Sequence, residues 1–179
     1  MTIICGTGHR PNKLVAASTN GYSNQVLTRL IDCATVYLER RQPSRVISGG
    51  ALGWDTALAI AAIRLEIPII VAVPFQDFPD KWQQQDQKRF YKILNKATDW
   101  VLVDEESNYK YIVPGTTSKT YHISKLQKRN MWMVDNSDRI VALHNGTPGG
   151  TNNCLVYNAN TKRLPVDNMW SNWVKYNGF

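Results

Sequence analysis

Apolar residues along this chain come in short continuous blocks, and between the blocks they recur at helical spacing. Thr2-Ile3-Ile4-Cys5, Arg45-Val46-Ile47-Ser48, Ile67 to Val73, Trp100-Val101-Leu102-Val103 and Arg139-Ile140-Val141-Ala142-Leu143 are strand-sized runs, each closed by glycine, proline or a polar cluster. From Ser23 to Arg41, the residues Val26, Leu27, Leu30, Ala34, Tyr37 and Leu38 share one face of a helix. Trp54 to Leu65 is apolar nearly all round, which predicts a buried helix. A polar helix is expected over about Trp82 to Lys96, and others over Ser118 to Asn136 and Gly150 to Asn160, with Asp104 to Thr117 as a loop. Alternating strands and helices predict an α/β protein: a Rossmann-like open, mainly parallel sheet with helices on both faces. No repeat or linker divides the chain, so residues 1–179 are expected to form one Rossmann-like domain. Met169, Trp170, Trp173 and Phe179 in the tail are expected to pack on it.

Composition narrows the class. With 43% apolar and 20% charged residues, the chain reads as globular and long enough to fold without disulfides or metals. The start MTIICGTGHR lacks signal-peptide character, and the longest apolar run, Ile67 to Phe75, is strand-sized, so no membrane span and a cytoplasmic location are expected. Cys5, Cys33 and Cys154 are widely spaced without a CxxC pair, which argues against a disulfide framework or zinc site. No cofactor signature or metal cluster is visible. The net charge is +7, and between Ser107 and Val134 there are Lys110, Lys119, Lys125, Lys128 and Arg129 but no acidic residue. Such a stretch can attract a small phosphate ligand, bind nucleic acid, or form a solvated face.

Three loops follow strands, where open α/β sheets bind their ligands. In Gly6-Thr7-Gly8-His9-Arg10-Pro11, the glycines allow close backbone approach, and His9 and Arg10 offer donors to a phosphate or base; His9 is equally readable as a structural histidine. Ser48-Gly49-Gly50-Ala51-Leu52-Gly53-Trp54-Asp55 leads into a helix whose N-terminus would attract an anion. Asp55 there is a helix-capping residue, a ribose ligand or a general base. Asn145 to Cys154 contains Pro148-Gly149-Gly150-Thr151-Asn152 and again opens a helix. The missing Gly-Lys-Ser/Thr ending excludes a Walker A loop.

Together, GTGHRP, SGGALGWD and RNMWMVDNSDRIVALHNGTPGGTNNC resemble the YpsA-like branch of the SLOG superfamily. The superfamily includes the lonely-guy nucleotide phosphoribohydrolases, molybdenum cofactor carrier proteins and DNA-processing protein A. The resemblance runs from Thr2 to about Asn160 and implies a nucleotide-type ligand between the glycine loops. It matches Arg129 to the arginine of the phosphoribohydrolases' Arg-Lys pair, with Asn130 in place of the lysine. Pro148, Gly149 and Gly150 match their loop. Their catalytic glutamate has no counterpart, since Asn152, Asn153 and Cys154 follow Thr151. Asp55, Asp135 or Asp138 are the carboxylates left to replace it, the last two reading better as capping or packing residues.

The leading expectation is therefore a sensor or carrier of a nucleotide or nucleotide-derived phosphate ligand. The candidate ligand residues are Gly6, Gly8, His9, Arg10, Ser48, Gly49, Gly50, Gly53, Asp55, Arg129, Gly149, Gly150, Thr151 and Asn152. A nucleoside-monophosphate N-glycosidase using Asp55 comes second. Single-stranded DNA binding through Tyr109, Tyr111, Tyr121 or Trp132 comes third, and a homodimer is the default assembly. Arg129→Ala is expected to weaken phosphate binding, and Gly50→Val to block the ligand sterically with some cost to folding as well.

Overall fold

The computed structural model describes residues 1–15, 23–115 and 121–177. Thr117, Ser118, Lys119 and Phe179, named above, lie outside them. Six strands, β1 (Ile3–Gly8), β2 (Arg45–Ser48), β3 (Ile69–Val73), β4 (Asp99–Leu102), β5 (Arg139–Leu143) and β6 (Val166–Asn168), form one sheet in the order β4-β3-β2-β1-β5-β6. Every neighbouring pair is parallel. The helices are α1 (Asn24–Arg41), α2 (Trp54–Arg64), α3 (Gln84–Lys96), α4 (Ile123–Asp135), α5 (Gly150–Asn160) and α6 (Trp170–Asn177). This is the α/β, Rossmann-like architecture that the alternating pattern predicts.

Strand alternation sorts the core into two layers. Ile4, Val46, Val71 and Val141 face one side, where α1, α2 and Phe90 of α3 cover them and Trp173 of α6 joins. Cys5, Ile47, Ala72, Ile140 and Ala142 face the other, under Trp132, Met133 and Val134 of α4 and Cys154 of α5. The sheet order grows from β1 through β2 to β4 on one side and restarts at β5 on the other. Successive connections therefore leave β1 and β5 toward opposite sides, which opens a crevice at their C-terminal ends.

Several boundaries move for physical reasons. β1 does not stop at Cys5, because Gly6, Thr7 and Gly8 continue the ladder opposite Val141, Ala142 and Leu143. β3 starts at Ile69 rather than Ile67, after Pro68, which has no N–H to donate. β4 runs Asp99–Leu102, and Val103 begins a 3-10 turn. Trp82 belongs to the turn before α3, its N–H bonded to the Pro79 carbonyl. α4 is first seen at Ile123, where the His122 side chain accepts from the Ser124 N–H. The tail does more than pack: Val166–Asn168 adds a sixth strand, and Asp167 binds Tyr37, Arg41 and Arg139.

Lys125 lies fully buried, its Nζ 2.9 Å from Asp104 Oδ2, and so ties α4 to the end of β4. Asp104 Oδ1 also accepts the Tyr111 N–H. Truncating one partner strands a buried charge, so Lys125→Ala is expected to cost about 3–5 kcal/mol in urea unfolding. The less buried Lys128→Ala should stay within about 0.5 kcal/mol of wild type. Equal effects would show that the ion pair holds nothing.

Candidate functional site

The first two glycine loops are shaped by packing. A β-carbon on Gly8 would come within 2.5–2.6 Å of the Trp54 side chain, and one on Gly6 would strike Leu58. Both clashes are with α2, so these glycines let the helix lie against the β1 backbone. Gly53 has φ +94°, and a β-carbon there would sit 2.6 Å from the His9 carbonyl oxygen. Gly50 has φ +68° and faces Phe90, with 2.8 Å to Cε2. Gly50→Val would therefore disrupt the core rather than obstruct a ligand, which corrects the expectation above. Ser48 is buried, donates to the Asp55 carbonyl and accepts from the Gly50 N–H, closing the turn on itself. Gly6, Ser48, Gly49, Gly50 and Gly53 thus form the scaffold of the site and do not line its cavity.

The N-terminus of α2 is also not the open anion site that its glycines suggest. The His9 carbonyl reaches the Trp54 N–H at 3.5 Å, and Asp55 in the first turn takes the Ala51 N–H on its carboxylate. That helix end already holds an anion of its own. The Arg129 guanidinium is similarly committed: Nη1 donates to the Gly49 carbonyl, Nε donates to Asn130 Oδ1 at 3.0 Å, and Asp55 Oδ2 lies 3.9 Å away. Burial raises the Asp55 carboxyl to about 6, against the opposing pull of Arg129, the Ala51 N–H and Arg10. Burial likewise lowers the affinity of Arg129 for its proton.

The third loop is different. A cavity of about 250 Å³ opens between the ends of β1 and β5, and Gly8, His9, Arg10, Asp55, Arg129, Gly149, Gly150 and Thr151 line it. Gly149 caps α5 without any side-chain hydrogen bond, and the first turn of α5 carries no acidic residue. The leading N–H groups of a helix have no intrahelical partner and carry the positive end of its dipole. A β-carbon on Gly150 would meet no atom within 4 Å, and Gly149 and Gly150 are exposed. Lys13 spans the crevice, its Nζ donating to Thr147 Oγ1 at 2.9 Å and to the Pro148 carbonyl at 2.8 Å. Arg10 is exposed at the mouth.

His9 joins the first loop to the third. Its Nε2 lies 3.0 Å from the Asn145 backbone nitrogen and 2.6 Å from Asn145 Oδ1. Its ring packs on His144 at 5.2 Å and on Trp170 at 5.7 Å. Burial lowers its pKa, and the hydrogen bonds to Asn145 tie the two loops together. Asn152 turns toward His144 and away from the cavity. Asp135 accepts from the Tyr109 and Tyr157 hydroxyls, and Asp138 from the Ile3 N–H, so both are structural. Cys154 is a buried core thiol, with its pKa raised to about 11 by that burial.

Two contributors escaped the sequence reading. Lys13 lies in a 3-10 turn (Pro11–Lys13) just past the first motif, and only the fold brings it to Thr147. Asn130, which stands at the lysine position of the Arg-Lys pair, donates to the Gly150 carbonyl at 3.3 Å and steadies the first turn of α5. Of the basic stretch, Lys125 and Arg129 are buried against Asp104 and Asp55, whereas Lys110 is exposed and Lys128 half-buried. Trp132 is core, Tyr109 is bonded to Asp135, and Tyr111 stacks on His122 at 4.9 Å.

Comparison with known proteins agrees with this architecture. The model of the YspA SLOG family matches residues 4–170, and the chain belongs to that family. An uncharacterized SPbeta prophage-derived protein of Bacillus subtilis, YoqJ, is 41% identical over 119 residues, covering 63% of this chain and 68% of that protein. DNA processing protein A of Streptococcus pneumoniae superposes with a TM-score of 0.60 at 14% identity, over 99% of this chain and 54% of that one. DNA processing protein A of Helicobacter pylori, whose structure was solved for its single-stranded DNA binding mode, gives 0.58 at 15% identity, over 99% and 73%. At these identities the structural likeness is one of fold.

The raised Asp55 carboxyl makes a signed prediction. A carboxyl that holds its proton more tightly in the folded state stabilises the fold below its unfolded pKa, and that contribution is lost as pH rises through the folded value. Between pH 4 and 6, wild-type stability should therefore fall relative to Asp55→Asn, by about 2–3 kcal/mol in all. Urea unfolding at several pH values reads the difference. Parallel curves for the two proteins would mean that Asp55 titrates normally.

Proposed function

We propose that this YspA SLOG family protein binds a nucleotide or nucleotide-derived ligand as a sensor or carrier, with a phosphate group seated on the N-terminus of α5. One observation carries the reading: α5 alone of the two glycine-led helices begins without a side-chain cap, an internal carboxylate or a blocking neighbour. Its free N–H groups and dipole favour an anion. Lys13, held on the loop by Thr147 and Pro148, and Arg10 at the mouth add positive charge where a phosphate would enter. The cavity sits at the topological switch point, where this class of sheet holds its ligands.

A second reading rests on Asp55. A buried carboxyl titrating near 6 within the same cavity has the properties of a general acid or base, which N-glycosidic cleavage requires. In that case Asp55 of α2 takes the role that the glutamate has in the phosphoribohydrolases. Single-stranded DNA binding retains less support, since two cations of the basic stretch and most of its aromatics are used internally.

Calorimetry with AMP and ribose 5-phosphate tests the binding reading. Gly150→Val places a side chain in open space, so it should keep the melting temperature and lose the ligand. Lys13→Ala should weaken binding about 10- to 100-fold, the value of a charge-assisted contact of about 1.5–3 kcal/mol. Full affinity in both folded variants would remove α5 from the site. Chromatography of the same mixtures decides turnover: free base that appears with wild type and vanishes with Asp55→Asn makes the protein a glycosidase, whereas intact ligand makes it a sensor or carrier.

A further inference from the structure

Beside the anion cavity lies a second one of about 580 Å³, and Arg10 lines both. Phe75, Phe78, Trp82 and Tyr121 form its aromatic wall. Phe75 follows β3 after Pro74, so this wall stands on the same C-terminal edge of the sheet as the loop after β1. Phe75 and Phe78 are buried, whereas Tyr121 is 55% exposed. The Tyr121 ring meets Phe75 edge-to-face at 5.7 Å, and Lys81 Nζ lies over the ring, 5.9 Å from its centroid. Asp77 and Asp80 add exposed carboxylates at the rim, and Asp77 is held at φ +64°. That left-handed conformation belongs to the turn that the Asp80 N–H closes on the Asp77 carbonyl.

We propose that this aromatic cavity is the base subsite, so that the ligand is a nucleotide with phosphate at α5 and a base bearing an exocyclic amino group against Tyr121. The inference rests on the binding function proposed above and adds the ligand's orientation and class. Size favours it: the anion cavity alone falls below the roughly 300–1,000 Å³ usual for small-molecule sites, and its neighbour supplies the missing room. Charge fixes the polarity. Asp77 and Asp80 offer acceptors for the N–H donors of an amino-substituted base, Lys81 lies among them over the Tyr121 ring, and Arg10 between the cavities suits the phosphate side. A planar base finds in Tyr121 an exposed aromatic ring on which to stack.

The test compares AMP, IMP and ribose 5-phosphate by calorimetry on wild type, Tyr121→Ala and Tyr121→Phe. Wild type should bind AMP at least about tenfold more tightly than ribose 5-phosphate, the gain expected of one stacked base. Tyr121→Ala should erase that gain without changing ribose 5-phosphate affinity, and Tyr121→Phe should restore it. IMP, which carries a carbonyl in place of the amino group, should bind more weakly than AMP. Equal affinity for AMP and ribose 5-phosphate, or an AMP affinity indifferent to Tyr121→Ala, overturns the base subsite and leaves the anion site standing. Equal affinity for AMP and IMP overturns the amino-group selection. Failure of all three to bind wild type overturns the subsite together with the function on which it rests.

Discussion

Helix α2 begins so close to the end of β1 that no side chain fits between them. Trp54, wholly buried, takes the space that β-carbons at Gly8 would need, and Gly53 brings the His9 carbonyl down onto the start of the helix. With that approach fixed, the first loop is drawn down against α2, and the His9 ring is aimed at Asn145 across the crevice. The 3-10 turn that follows carries Lys13 to the third loop. The cavity is framed by this packing, at the point where the strand order reverses.

Electrostatics then separates two helix ends that look alike. α2 carries Asp55 in its first turn and has Arg129 beside it, so its positive end is already neutralised within the protein. α5 carries no acid in its first turn and no cap. The same accounting applies to the net charge. Lys125 and Arg129 contribute to the formal +7 yet are matched inside the fold, so their charge is not offered to a partner. What remains around the cavity is Lys13 and Arg10, a local field suited to one phosphate group.

The sheet was legible because buried parallel strands are continuous apolar runs and the helices between them have clear stripes. β6 was not, since Val166-Asp167-Asn168 has no apolar pattern; its place comes from hydrogen bonds to β5 and from Asp167 gathering two arginines and Tyr37. Glycine loops marked the right edge of the sheet but not the right atoms. A glycine needed for helix approach, such as Gly8, and one that leaves an amide end open, such as Gly150, are the same letter; only the neighbours distinguish them. Lys13 was hidden for a related reason, because its partners lie more than 130 residues away in sequence. Arg129 was legible as a member of the cavity, but its engagement with Gly49, Asn130 and Asp55 depends on tertiary contacts that no local pattern carries.

The claim on which the account turns is that a phosphate rests on the backbone amides of α5. An amide-resolved NMR titration of the ¹⁵N-labelled protein with AMP reads those groups directly. The account predicts the largest saturable shifts at the N–H groups of Gly150, Thr151 and Asn152, with Trp54 to Thr56 at the start of α2 moving little. Saturable shifts centred on the first turn of α2, with the α5 amides unmoved, would contradict it.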